Sequence, residues 1–382
     1  MKKKVLSVLL ALTMTAGLLV GCGSSTETKT DTAKEETTEE TTEAPAKEET
    51  TEKKADEKTD DTASADGIAG KTFAIVVKSA GNPYNQKEAE GFQQIIEANG
   101  GTCIIKEPEA ATADAQVSVI QSLISQGVDS ISIAANDENA LQSALQEAMD
   151  AGIKVSCLDS KVNKDSRSTF VNQAGTQEIG QALMDAVYDI TGGSGQWAVL
   201  SATSQATNQN AWIDAMKSIM TEDKYKDLEL VEVAYGDDEP QKSTDQTQAL
   251  LSKYPELKVI CAPTTVGISA AAKVLQDQKS TVKLTGLGLP SEMAEYIGDD
   301  DAHSCPYMFL WNPIELGNLG AYTAMALVQG DITGAVGDTF EAGDMANSPY
   351  TLTDAGDGGS EIILGAPFKF DPSNIAEWKD VY

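Results

Sequence analysis

The segment Phe73-Ala-Ile-Val-Val77-Lys78-Ser-Ala-Gly-Asn82-Pro83-Tyr84 joins a short run of apolar, partly β-branched residues to a polar loop that contains glycine and proline. Such a run is typical of a parallel strand that is buried on both faces. The residues after the loop are typical of an amphipathic helix. A strand, a loop and a helix in this order predict the start of an α/β domain.

The same order recurs along the chain up to residue 328. Further strands are predicted at residues 103–105, 131–133, 155–158, 197–200, 228–233, 259–261 and 282–287, and helices are predicted between them and at 313–328. The sequence therefore predicts an α/β fold with two successive lobes, each a parallel sheet flanked by helices. Because such sheets bind ligands outside the carboxyl ends of their strands, we expect the functional residues in the strand-to-helix loops.

The amino terminus has the features of an export signal. Lys2-Lys3-Lys4 precedes an apolar run over residues 5–20, and Gly21-Cys22 follows it. This pattern predicts a signal peptide at residues 1–21. Leu19-Val20-Gly21-Cys22 resembles a bacterial lipobox, which implies lipidation of Cys22 and anchoring on the extracytoplasmic face of the cell membrane. The alternative is an ordinary signal peptide followed by a chance cysteine.

Residues 22–66 have the composition of a tether. From Ser24 to Asp66 there is no Val, Ile, Leu, Met, Phe, Tyr or Trp, but there are 15 acidic residues and 6 lysines. A segment of this kind cannot bury enough apolar surface to offset its ordering entropy, so the sequence predicts a disordered, acidic, Thr/Glu-rich tether.

The overall composition excludes several classes of function. With 28 Lys and Arg residues against 59 Asp and Glu residues, the chain has a formal net charge of −31. This charge repels phosphate backbones, so nucleic acid is excluded as a partner. The single histidine, His303, and the lack of C-x-x-C or H-E-x-x-H spacing argue against zinc sites and histidine-dependent hydrolases. We expect neither a metal nor a cofactor.

Several loops resemble those of type I periplasmic sugar-binding proteins. The loop at residues 78–84, followed by Glu90-Gly91-Phe92, is similar to the first loop of these proteins. Further segments resemble one branch, the rhamnose and autoinducer-2 type of ABC-transporter solute-binding protein, and they occur in the right order: Ser132-Ile-Ala-Ala-Asn136-Asp, Asp159-Ser160, Phe170-Val-Asn172-Gln173, Ala206-Thr-Asn208-Gln209-Asn210-Ala-Trp212, Ala262-Pro263-Thr264-Thr265, Thr285-Gly-Leu-Gly288 and Leu310-Trp311-Asn312-Pro313.

The resemblance implies two lobes joined by three hinge crossings, with the ligand closed between them. The crossings are expected near Asn172, Trp311 and Phe340. Residues 67–172 and 313–340 would form the N-terminal lobe, and residues 173–312 and 341–382 the C-terminal lobe. The implied function is capture of a small sugar-like ligand and its delivery to an ABC transporter permease, by a protein expected to be a monomer.

A sugar cleft needs planar hydrogen-bonding side chains for hydroxyl groups and an aromatic face for the C–H side of the ring. The resemblance places these candidates in the matching loops: Lys78, Asn82, Tyr84, Asp159, Asn208, Gln209, Pro263, Thr264, Thr265, Trp311 and Asn312. Structural roles remain open for several of them: a helix or turn cap for Asp159, a helix N-cap for Asn208, and packing on the first helix for Tyr84. Trp212 is expected in the core.

Two residues bear on the identity of the ligand. Ribose- and galactose-type relatives typically have an aspartate at the position that we match to Gly288, so a ligand with fewer hydroxyl groups on that edge is expected. Autoinducer-2 receptors have an aspartate where this chain has Asn208. Together these differences favour a rhamnose-like deoxysugar, with autoinducer-2 as the alternative.

An exported enzyme and a chemosensory receptor are the alternatives to a transport receptor. An exported enzyme acting on a sugar-like polyol needs a titratable acid/base pair in the cleft, whereas the candidate residues offer one carboxylate, one lysine and amides. We therefore expect no enzymatic activity. A chemosensory receptor without transport remains open. The acidic segment at residues 354–361 lacks the spacing of a calcium-binding loop and predicts a hairpin turn before Ile362.

Overall fold

The computed structural model describes residues 67–382, so the signal peptide and tether predicted for residues 1–66 lie outside the described residues. The strands are β1 (Thr72–Val76), β2 (Thr102–Lys106), β3 (Ser130–Ile133), β4 (Lys154–Leu158), β5 (Phe170–Asn172), β6 (Gly195–Ser201), β7 (Leu228–Tyr235), β8 (Leu257–Ala262), β9 (Lys283–Gly286), β10 (Met308–Leu310), β11 (Thr339–Phe340), β12 (Tyr350–Thr351), β13 (Thr353–Asp354), β14 (Ser360–Ile363) and β15 (Phe368–Phe370). The helices are α1 (Pro83–Ala98), α2 (Ala113–Gln126), α3 (Gln142–Asp150), α4 (Thr176–Thr191), α5 (Thr207–Ile219), α6 (Pro240–Lys253), α7 (Thr265–Asp277), α8 (Pro290–Met293), α9 (Pro313–Gln329) and α10 (Ile375–Trp378).

The first lobe is built on a seven-stranded sheet with the order β13-β14-β5-β4-β3-β1-β2. All neighbours are parallel except β13 and β14. Phe73 and Ile75 of β1 belong to the core beneath α1 and α9, whereas Ala74 and Val76 belong to the core beneath α2 and α3. Successive side chains of β1 therefore pack on opposite faces of the sheet. Both faces are buried, as the apolar run predicted.

The second lobe has a four-stranded parallel sheet with the order β7-β6-β8-β9. The antiparallel pair β10 and β15 continues from it through a bridge between Leu287 and Phe309. Trp197 in the central strand β6 is fully buried among side chains of the surrounding helices. The predicted α/β class with two helix-flanked parallel sheets is confirmed.

Three segments connect the lobes, and the third differs from the prediction. The first is residues 173–175 between β5 and α4, and the second is residues 311–312 between β10 and α9. The expectation that residues from 341 onward belong to the second lobe is wrong for β13 and β14, because β14 pairs in parallel with β5 of the first sheet. The chain leaves the first lobe at residues 364–367, before β15.

The acidic segment after β12 forms the predicted hairpin. Thr353 and Asp354 pair antiparallel with Glu361 and Ser360. Within residues 67–382, no group of three or more His, Cys, Asp and Glu side chains is placed to hold a metal ion. Among the helices of this part of the chain, none is long and apolar enough to cross a membrane.

Candidate functional site

A small cavity lies between the two lobes, and we call it the inner cavity. Its volume is about 30 Å³, which is room for no more than a few water molecules. The loops that follow the strands form its wall, as expected for parallel sheets. The lining residues are Lys78, Asn82, Tyr84, Asn85, Asp159, Asn208, Gln209, Trp212, Asp238, Pro263, Thr264, Thr265, Leu287, Leu310 and Trp311.

Two charged side chains from the first lobe meet in the inner cavity. Lys78 follows β1 and Asp159 follows β4. Because both strands are parallel members of one sheet, the two residues lie close together at the carboxyl ends of the strands. The Lys78 Nζ lies 3.5 Å from Asp159 Oδ2, and both side chains are buried. Asp159 has a left-handed backbone with φ of +59°, which Asp tolerates better than most residues and which recurs at functional positions.

Asn208, in the first turn of α5, links this charge pair to the second lobe. Its Oδ1 accepts a hydrogen bond of 2.7 Å from Lys78 Nζ, and its Nδ2 donates a bond of 3.0 Å to Asp159 Oδ2. One amide thus satisfies a cation and an anion of the opposite lobe at the same time. Because Asn208 Oδ1 also accepts from the backbone N–H of Gln209, the side chain is held in this orientation.

The aromatic side of the cavity is tied to the same carboxylate. The Tyr84 hydroxyl donates to Asp159 Oδ1 at 3.0 Å and accepts a 2.6 Å bond from Trp311 Nε1. Burial, followed by the negative charge of Asp159, raises the pKa of Tyr84 well above its ordinary value. The phenol therefore stays protonated and acts as a donor. Trp311 also makes an edge contact with Trp212, with ring centroids 5.8 Å apart.

The remaining wall comes from the strand ends of the second lobe. Thr265 Oγ1 donates to Asn82 Oδ1 at 3.5 Å, which is a second polar contact between the lobes. Thr264 Oγ1 donates to Asp238 Oδ1 at 2.6 Å. Burial raises the pKa of Asp238, and the Thr264 hydroxyl opposes this shift. Leu287 and Leu310 add an apolar surface.

Ten of the eleven candidate residues from the sequence line the inner cavity. Asn312 does not. Its Oδ1 accepts from the backbone N–H groups of Ile314 and Glu315, so it is the N-cap of α9. Four lining residues were not predicted from the sequence, namely Asn85, Asp238, Leu287 and Leu310, and Trp212 was expected only in the core. Asp238 lies in the turn after β7, which ends at Tyr235, whereas Asp159 directly follows the end of β4 at Leu158.

The position of Gly288 differs from the expectation. A Cβ at this position would lie 2.7 Å from Met308 Sδ and 2.9 Å from Met293 Cγ, so a side chain at residue 288 points into the core of the second lobe. Gly288 is absent from the cavity wall, and its neighbour Leu287 lines it instead. The part of the cavity next to β9 is therefore apolar, which again offers no acceptor for sugar hydroxyl groups.

A buried carboxyl group lies behind the site. Glu88 is one helical turn after Tyr84 in α1, it is fully buried, and its carboxylate oxygens have no hydrogen-bond partner among the described residues. Burial, together with the charge of Asp159, raises the pKa of Glu88 well above its ordinary value, against the opposing effect of Lys78. The folded protein therefore keeps a proton on Glu88 at a pH at which an exposed glutamate is ionised.

This proton makes stability depend on pH. As the pH rises above about 4.5, Glu88 ionises in the unfolded chain but not in the folded protein, so folding stability falls by about 1.4 kcal/mol per pH unit until the folded group also ionises. Glu88→Gln should lack this contribution. Urea unfolding at several pH values between 4.5 and 8 measures it, with Glu97→Gln on the exposed face of α1 as the control. Equal slopes for the wild type and Glu88→Gln would contradict the assignment.

Comparison with known proteins agrees with this geometry. A family model described as periplasmic binding protein domain matches residues 73–332. An ABC transporter solute-binding protein from Clostridium phytofermentas, solved with bound L-rhamnose, is 65% identical to this chain, with a TM-score of 0.81, over 82% of this chain and 100% of that one. The chain belongs to the periplasmic binding protein family, among relatives that are ABC transporter solute-binding proteins.

Two more distant relatives also match this chain. LsrB from Clostridium saccharobutylicum, solved in complex with AI-2, is 22% identical, with a TM-score of 0.73, over 80% of this chain and 99% of that one. The D-apiose import binding protein of Actinobacillus succinogenes is 21% identical over 227 residues, which are 59% of this chain and 71% of that protein.

Proposed function

We propose that this protein is a lipid-anchored, extracytoplasmic receptor that binds a rhamnose-like deoxysugar and delivers it to an ABC importer. The observation that supports this proposal most is the 65% identity, over 82% of this chain, to a solute-binding protein solved with L-rhamnose. The site residues proposed to contact the sugar are Lys78, Asn82, Tyr84, Asp159, Asn208, Gln209, Pro263, Thr264, Thr265 and Trp311.

The chemistry of the inner cavity fits such a ligand. Asp159 supplies acceptors for hydroxyl protons, Lys78 supplies donors, and the Asn208 amide supplies both. Trp311, Trp212 and Tyr84 form the aromatic side that a sugar ring needs. A deoxysugar also has a methyl group, for which the buried Leu287 and Leu310 side chains provide an apolar surface.

Binding requires the lobes to move apart. A cavity of about 30 Å³ does not hold a sugar ring. On opening, the bonds from Asn208 to Lys78 and Asp159 break, and on closure around a sugar these groups bond to its hydroxyl groups instead. The three connecting segments are the natural hinge for this motion. Without a sugar, the hydrogen bonds of Asn208 hold the two lobes together. With a sugar bound, the hydrogen bonds to its hydroxyl groups take over this role.

A thermal-shift screen tests the proposed ligand class. A ligand present at 100 times its Kd adds about 2.7 kcal/mol to the free energy of unfolding. We expect L-rhamnose or a related deoxysugar to raise the Tm most, with smaller shifts for D-ribose, D-glucose and D-galactose. Autoinducer-2 is included as the alternative ligand. No shift with any sugar in the panel would contradict the proposal.

The proposed anchor rests on the lipobox-like segment that ends at Cys22, outside the described residues. Two or three acyl chains hold a protein on a membrane, since each buried methylene contributes about 0.8 kcal/mol. Cys22→Ser should abolish acylation and leave the precursor uncut by the lipoprotein peptidase. Metabolic labelling with an alkyne fatty acid measures this. Label retained on the Cys22→Ser protein would refute lipidation at this residue.

A further inference from the structure

A second cavity lies beside the inner cavity, and we call it the outer cavity. Its volume is about 300 Å³, which is at the lower end of the range for small-molecule sites. The first lobe contributes Ser79 and residues 109–112, and the second lobe contributes Thr203 and residues 237–239. Asp238 lines both cavities. The two cavities therefore adjoin at this carboxylate.

The outer cavity lies on the side of the cleft away from the hinge. Its walls include the loops after β2 and β7, and these two strands are the outermost strands of their sheets. The connecting segments follow β5, β10 and β14, which lie toward the opposite edges. When a sugar is bound in the inner cavity, a substituent that extends away from the hinge therefore enters the outer cavity and not the protein core.

The chemistry of the outer cavity suits a neutral, hydroxyl-rich group. Asp237 forms an ion pair with Lys242, and Asp238 accepts a hydrogen bond from Thr264. Glu109 and Glu239 add further carboxylates on the exposed rim. Carboxylates accept hydrogen bonds from hydroxyl groups, and their negative charge disfavours anionic ligands such as uronic acids.

The loop that places Asp238 is held in a costly conformation. Asp237 and Asp238 both have a left-handed backbone with φ of +54°. The Asp237 N–H donates to the Ala202 carbonyl at 3.0 Å, which ties this loop to the loop that contains Thr203. Strained residues of this kind persist where the surrounding structure fixes them, and they cluster at ligand sites.

We propose that the outer cavity binds the second sugar unit of a neutral glycoside whose terminal deoxysugar occupies the inner cavity. This inference rests on the proposed function and extends it, because it assigns the ligand class as glycosides in addition to free monosaccharides. Asp238 lies at the position of the glycosidic linkage, between the two units.

Calorimetry on the purified full-length protein tests the inference with three probes: L-rhamnose, methyl α-L-rhamnopyranoside and an α-L-rhamnosyl-(1→6)-D-glucose disaccharide. We expect both glycosides to bind with a Kd within tenfold of that for L-rhamnose. Thr203→Trp places a large side chain in the outer cavity. It should weaken binding of the disaccharide at least tenfold more than binding of L-rhamnose, while Thr221→Trp on the exposed surface should not discriminate between them.

The outcomes separate the two proposals. If L-rhamnose binds but both glycosides bind more than tenfold more weakly, the outer cavity is not a sugar subsite and the proposed function stands. A Thr203→Trp variant that weakens both ligands to a similar extent would also overturn the inference. If neither L-rhamnose nor a glycoside binds, the proposed function fails, and the inference fails with it.

Discussion

Asp159→Ala is expected to weaken sugar binding about 10- to 150-fold. The Asp159 carboxylate is the shared acceptor of the Tyr84 hydroxyl and the Asn208 amide, and it lies near the Lys78 ammonium group. Each hydrogen bond to a charged group contributes about 1.5–3 kcal/mol. The loss of one such bond between Asp159 and the sugar therefore raises the Kd about 10- to 150-fold. Calorimetry with L-rhamnose measures the change.

A second variant separates binding from backbone strain. Asp159 has a φ of +59°, which alanine adopts at a cost of about 1 kcal/mol or more and asparagine tolerates. Asp159→Asn should therefore avoid this backbone cost, although it still leaves the buried Lys78 ammonium group without its counter-charge. It should bind about tenfold more weakly than the wild type, because it lacks the negative charge. Asp150→Ala, at an exposed position of the same lobe, is the control. An unchanged Kd in both Asp159 variants would remove this residue from the site.

Asp357→Asn is expected to lower the free energy of unfolding by about 3 kcal/mol. The Asp357 carboxylate accepts two hydrogen bonds from Arg167, at 3.0 and 2.8 Å, and lies 3.2 Å from Lys161 Nζ. The Arg167 side chain is 1% exposed, so the variant leaves a buried cation without its partner. The contact also fastens the β13–β14 hairpin to the first lobe.

The stability that the contact between Asp357 and Arg167 contributes is lost at acidic pH. Burial alone would raise the pKa of Asp357, but hydrogen bonds from Arg167 and Gly359 and the charge of Arg167 lower it to about 2. The stabilisation is therefore complete above about pH 4 and is lost as the pH falls toward 2. Chemical denaturation between pH 2 and 7 tests both points, with the exposed Asp344→Asn as the matched variant. Wild-type stability in Asp357→Asn at pH 7 would show that the pair contributes nothing.

Local sequence patterns predicted most of the fold because each strand and helix has its own signal. The buried run at β1 and the helical spacing of α9 lie close to the predicted bounds. Pairing between distant segments has no such signal. Ser360–Ile363 is a short strand after a glycine-rich turn, and nothing in its own residues specifies that it pairs with β5. The third lobe connection was misplaced for this reason.

The candidate site was predictable where a polar residue directly follows a strand. Lys78 and Asp159 were found in this way, with the family resemblance as support. Asp238 was missed because a turn separates it from β7, and Asn312 was included although its side chain caps α9. The direction in which a side chain points, as for Gly288 and Leu287, depends on packing that the sequence alone does not give.

Calorimetric titration of the purified protein with L-rhamnose, in competition with D-ribose and D-galactose, measures whether the protein prefers a deoxysugar to a fully hydroxylated sugar. We expect one binding site per chain, with L-rhamnose or a related deoxysugar bound at least tenfold more tightly than D-ribose or D-galactose. Binding of D-ribose or D-galactose at least tenfold tighter than every deoxysugar and autoinducer-2 would contradict it.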